Sequence, residues 1–165
     1  MNMPVLGPDP VWTGVGNKYA WNAEFKPYRI SCVLGATGID GVDAVLDCQP
    51  NPTEYNPAAL KTLGGNGQPV RVGWASAVWN FKQLSVPQMD QLMAAYNLAY
   101  TQYNGFVYIV TRTNANELYT DSVSGWQEMR PVYQKFRAAF KGLSYELVGG
   151  WYKQVKAEFG HLTLV

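Results

Sequence analysis

The sequence predicts a mainly β protein with one short helix, its antiparallel strands closing as a sandwich or barrel that the helix flanks. Three observations carry this expectation. Residues 132–141 and 151–159 alternate apolar and charged side chains with period two, the pattern of strands buried on one face. Residues 68–83 and 106–113 are rich in β-branched and aromatic side chains. Only one stretch, from Ser85 to Asn104, spaces its apolar residues as a helix does, so strands do not alternate with helices and a doubly wound parallel sheet is disfavoured.

In chain order, residues 1–27 are punctuated by Pro4, Pro8, Pro10 and Pro27, with Trp12, Tyr19 and Trp21 among them. Prolines on this scale preclude a central strand, so the segment is expected to be an extended arm whose rings anchor on a neighbour. Residues 28–165 then form one domain. Residues 28–34 make a short strand with Ile30, Cys32 and Leu34 on one face, and 42–48 are its expected return partner. The proline-rich stretch 49–57 is expected to be a loop around Tyr55, long enough to interact with a partner. Residues 68–83 form a strand whose apolar parity shifts from Val70, Val72 and Trp74 to Ala77, Trp79 and Phe81, which calls for a bulge or bend near Ala75 to Ala77. Bends of this kind close sheets into barrels or sandwiches.

Ser85 caps the helix, Pro87 lies in its first turn, and Met89, Leu92, Met93, Tyr96 and Ala99 supply the core-facing stripe. Asn104-Gly105 ends it. A strand over 106–113 follows, with a turn at 114–117. Val132, Phe136, Ala138 and Phe140 point inward on the next strand, as do Trp151, Val155, Ala157 and Phe159 on the last. These two form an antiparallel pair joined through residues 142–150.

Charged residues are 15% of the chain, against roughly 25% in an average soluble domain, while aromatics reach 14%. Little charge and many rings suit a surface covered in the working state. Net charge is +1, which gives no nucleic-acid signal, yet residues 36–60 carry four acidic groups and no basic one, including Asp40, Asp43 and Asp47. Residues 130–165 carry six basic groups against two acidic, with Lys135 and Arg137 in an outward row. Such poles let neighbouring copies attract. The aromatic residues of that strand point away from the basic row by parity, which argues against a base-stacking platform. The N-terminus shows neither a basic region nor an apolar run, so no leader and no membrane insertion are expected, and synthesis is expected in the cytoplasm. Cys32 and Cys48 are expected to be thiols.

Nothing in the chain assembles into catalytic chemistry. A nucleophile needs a base, and the single histidine, His161, has no partner motif near it. Asp40, Asp43 and Asp47 lack calcium-loop spacing, and two separated cysteines with one histidine do not make a zinc set. The glycines at 64, 65 and 67 precede a strand, whereas a phosphate cradle follows one. No catalytic residue, metal or cofactor is therefore expected.

Over residues 66–165 the order of bulged strand, short helix, strand and long terminal hairpin resembles the small structural tail proteins of long-tailed, siphovirus-type bacteriophages. The residues that carry the resemblance are the strand Pro69 to Gly73, Trp79-Asn80-Phe81, the helix opening Ser85-Val86-Pro87-Gln88, and a final strand from Gly149-Gly150-Trp151-Tyr152 to Phe159-Gly160-His161-Leu162. The resemblance implies a tail-tube type of fold, a homo-oligomeric ring with other tail proteins as partners, and a place in the virion tail. The expected interface residues are Trp12, Tyr19, Trp21, Asp40, Asp43, Asp47, Tyr55, Lys135 and Arg137. A carbohydrate- or receptor-binding β-sandwich, using the Tyr55 loop, is the alternative.

Overall fold

A computed structural model describes residues 27–33, 45–57, 60–63, 69–71, 73–120 and 122–165, with backbone alone for 60–63 and 69–71. Trp12, Tyr19, Trp21, Asp40 and Asp43, and all of the expected arm but Pro27, lie outside the described residues. The strands are β1 (Arg29–Ser31), β2 (Thr53–Asn56), β3 (Leu60–Leu63), β4 (Pro69–Arg71), β5 (Ala75–Leu84), β6 (Phe106–Thr120), β7 (Gln127–Val148) and β8 (Trp151–Leu164). The helix α1 (Val86–Gln102) follows β5.

Six strands form one sheet in the order β1-β6-β7-β8-β5-β2, every pairing antiparallel, and β3 pairs with β4 apart from it. The protein is thus mainly β with one helix, as the alternation and the single helical stripe require. The sheet is not closed. The edge strand β2 approaches the opposite side of the sheet through side chains, with the hydroxyls of Thr53 and of Tyr28, just before β1, sharing a 2.9 Å hydrogen bond and Asn114 Nδ2 of β6 donating to the Tyr55 carbonyl at 3.1 Å. No backbone ladder joins β1 to β2.

The core lies between the helix and one sheet face. Met89, Leu92 and Ala99 share one buried cluster with Trp79, Phe140 and Phe159, in which the Phe159 ring lies 4.6 Å from that of Trp79, edge-on, and 4.6 Å from that of Phe140, tilted. Trp79 keeps its indole N–H satisfied inside this core by donating to Thr111 Oγ1 at 2.9 Å, which removes the cost of burying a bare donor. The helix begins at Ser85, whose N–H donates to Gln88 Oε1 at 2.9 Å. It ends where Asn104 and Gly105 take positive φ, and Gly105 N–H returns to the Ala99 carbonyl at 2.8 Å. A Cβ on Gly105 would stand 3.3 Å from the Tyr100 ring, and the Tyr100 hydroxyl donates to the Phe140 carbonyl at 2.8 Å. That hydrogen bond, with the Phe140 N–H donating to the Gly105 carbonyl at 2.9 Å, ties the helix end to β7.

Five expectations are corrected. The strand of residues 68–83 is two strands, separated around Gly73 at φ 94°, although the pairing with β8 does shift between Ala75 and Ala77 where a bulge was required. The loop 49–57 contains β2, an edge strand whose flanking prolines leave its ladder with β5 intact. Strand β1 has β6 as its ladder partner; of the 42–48 segment, residues 45–48 are described, and there an antiparallel bridge joins Arg29 to Val45 and the Leu46 N–H donates to the Tyr28 carbonyl at 3.2 Å. The turn at 114–117 is a register shift inside a continuing strand. Finally, β7 runs through Gly142 to Val148, leaving Gly149 and Gly150, both at positive φ, as the whole turn, and Trp151 is 46% exposed rather than in the core.

Candidate assembly surfaces

The site follows from the length of β7. At about 3.3 Å per residue its 22 residues span roughly 70 Å, whereas a compact chain of this size measures about 40 Å across. Its buried residues lie between Arg130 and Phe140 only. Each end of β7 therefore carries a hairpin beyond the core, so the two hairpin tips lie at opposite ends of one strand.

At one end, β6 and β7 continue past the last partners of β1 and β8 as a two-stranded ribbon, with a turn at 122–124 before β7. One face of this ribbon is braced by Arg130, which is buried. Its guanidinium lies 3.5 Å over the Tyr119 ring and its Nε pairs with the Glu128 carboxylate. The opposite face is apolar and in water, for Leu118 sits directly across from Met129, and they are 58% and 63% exposed. Val123, in the turn, is 93% exposed. An apolar face with no core beneath it has no reason of its own stability to be displayed in water.

At the other end, the β6 pairing of β7 stops at Ala139 and, among the described residues, no strand continues on that side, while β8 keeps β5 alongside as far as Leu84 opposite Tyr152. Here Leu147, Val148 and Trp151 are exposed, with Val148 opposite Trp151 and Tyr145 edge-on to Tyr152 at 5.1 Å. Apolar side chains thus occupy both faces of this tip.

The expected site residues within the described part fall elsewhere. Lys135 and Arg137 share the sheet face away from the helix, since they alternate with Phe136, and Arg137 lies 3.9 Å over the Phe106 ring. Phe106 and Tyr108 share that face through the β6 register, so rings and basic groups do sit together, contrary to the parity argument made on one strand alone. Asp47 is exposed beside the helix, where its N–H donates to Gln91 Oε1 at 3.2 Å. Tyr55 is half-buried on β2 with its ring 5.8 Å from Phe136. It helps to line an open polar cleft of about 230 Å³ with Thr53, Arg112, Thr113 and Asn114.

Behind that cleft, burial pushes the Tyr133 phenol up to about 12, with the neighbouring Tyr28 adding to the rise and Arg112 opposing it. Burial also raises the Tyr28 phenol and the Cys32 thiol. Cys32 and Cys48 are both thiols, not joined in a disulfide, and the Cys32 thiol donates to the Ala95 carbonyl at 3.4 Å. His161 is exposed at φ 52° with its ring 5.6 Å from that of Trp74. Among the described residues no three His, Cys, Asp or Glu side chains gather as a metal set, and no helix is long and apolar enough to cross a membrane. No protein-family model, curated protein or solved structure matches this chain.

Proposed function

We propose that this chain is a non-enzymatic structural protein of a bacteriophage tail, part of a tube, tail tip or baseplate ring, that works by assembling with its own copies and with partner tail proteins. The observation that carries the proposal is the pair of hairpins with exposed apolar tips at opposite ends of β7. Burying a side chain of Leu or Trp size is worth roughly 1.5 to 3 kcal/mol. Two tips therefore hold an association energy that the folded monomer leaves unused. The low charge content supports the same reading, as do the resemblance residues of the terminal hairpin, which build one of the two tips.

Electron microscopy of concentrated protein tests this, and rings or stacked rings of a single diameter are expected. Protein that stays monodisperse and monomeric at every concentration overturns it. The polar cleft favours one second reading, a receptor- or glycan-binding module in which Tyr55 and Asn114 contact a sugar. Saturable binding in a glycan screen that Tyr55→Ala abolishes would favour that reading over the scaffold.

A further inference from the structure

We infer that the polar cleft between β2 and β6 binds the carboxylate of an acidic sugar, with Arg112 as the residue that holds the anion. This rests on the glycan reading of the cleft and names the class of sugar, and it leaves the assembly role of the hairpin tips untouched. The cleft exists because the sheet stays open at this seam. Strand β1 pairs with β6 from Tyr108 to Val110 and no further, so Arg112, Thr113 and Asn114 meet Thr53 and Tyr55 across an open space of about 230 Å³ instead of a ladder.

The walls of that space are held by their own hydrogen bonds. Thr113 Oγ1 donates to the Val132 carbonyl at 3.1 Å and accepts from the Ala115 N–H at 3.2 Å, the Thr53 and Tyr28 hydroxyls bond to each other, and Asn114 Nδ2 donates to the Tyr55 carbonyl. What these bonds leave over is rich in donors. Asn114 keeps its second amide N–H, and Arg112 is exposed with no ion pair and no side-chain hydrogen bond among the described residues. No carboxylate lines the cleft, since Glu54 alternates with Thr53 and Tyr55 and so projects from the other face of β2. Behind it, burial raises the Tyr28 and Tyr133 phenols, which are therefore neutral at pH 7 and leave the Arg112 charge uncancelled.

A donor-rich site with one uncompensated cation fits a ligand that is a pure acceptor with a single negative charge. The planar guanidinium matches a planar carboxylate through two parallel hydrogen bonds. The remaining lining is hydroxyls, an amide and the half-buried Tyr55 ring, which suit the hydroxyls and C–H face of a sugar and supply no apolar pocket for a peptide side chain.

The test is titration of the full chain with oligosaccharides ending in glucuronate or sialate, with the same oligosaccharides carrying a carboxamide in place of the carboxylate, and with a glutamate-rich peptide. The acids should bind about tenfold more tightly than the amides, as the loss of one charge-assisted contact implies. Arg112→Gln should abolish that preference and Arg112→Lys should keep part of it, with an unchanged thermal midpoint as the check on folding. Should Arg112→Gln not fold, the contrast between acid and amide on the unaltered protein still decides. Equal binding of acid and amide, a preference that survives in folded Arg112→Gln, or a peptide bound as tightly as the acidic sugars overturns the inference; sugars that bind without regard to charge leave the glycan reading standing. Absence of saturable binding by every sugar, neutral ones included, overturns both.

Discussion

Phe140 is fully buried between Tyr96 and Phe159, with ring centroids 5.0 and 4.6 Å away. Replacing it with alanine should cost about 3 to 5 kcal/mol in a chemical denaturation curve, because neighbours on three strands and a helix cannot collapse together into the space. A second residue-scale prediction concerns alkaline pH. Tyr133 holds its proton to about 12 in the folded state and to about 10 when unfolded. A raised folded pKa gives stability that is complete below the unfolded value and is lost as pH climbs from about 10 to about 12. Tyr133 is half-buried, so the loss after discounting for solvent is on the order of 1 kcal/mol. Tyr133→Phe should therefore flatten the fall in stability over that window, as thermal unfolding across pH would show. The core residues were legible from parity alone, since Val155, Ala157 and Phe159 alternate with charged neighbours. Trp151 was not, because it continues the parity of the core past the point where the core ends.

At the scale of elements, α1 and the middle of the sheet follow from their sequences. The helix has a cap, a first-turn proline, an apolar stripe and a glycine stop, and each does what its chemistry predicts. The two tips escaped notice for a physical reason. Alternation marks a strand with its apolar side on a core, whereas in the ribbon the buried side carries Arg130 and the apolar side, with Leu118 and Met129, meets water. Asn114, Ala115 and Asn116 accordingly looked like a turn although β6 passes through them. The polar cleft was missed with them, because Arg112, Thr113 and Asn114 meet Thr53 and Tyr55 only through pairing across a sheet. Since the tips lie outside the core, Leu118→Ser with Met129→Ser should alter unfolding free energy by no more than about 0.5 kcal/mol per site. Calorimetry checks this, and a large loss would mean that the ribbon serves folding rather than association.

For the whole molecule, charge and shape supply separate contacts. The acidic excess of residues 36–60 and the basic excess of 130–165 suit an electrostatic contact between copies, and the tips an apolar one. Asp43→Lys with Asp47→Lys should block assembly, and adding Lys135→Glu with Arg137→Glu should restore part of it, measured as the fraction of protein that pellets with rings. Normal assembly of the acidic reversal would show those charges to be solvated. The role of the tips is tested most directly by hydrogen exchange on the assembled and the monomeric protein. Amides of residues 114–129 and 143–152 should exchange quickly in the monomer and gain protection on assembly, while the core amides of β6 to β8 change little. Assembled protein whose two tips exchange as fast as in the monomer would contradict the account.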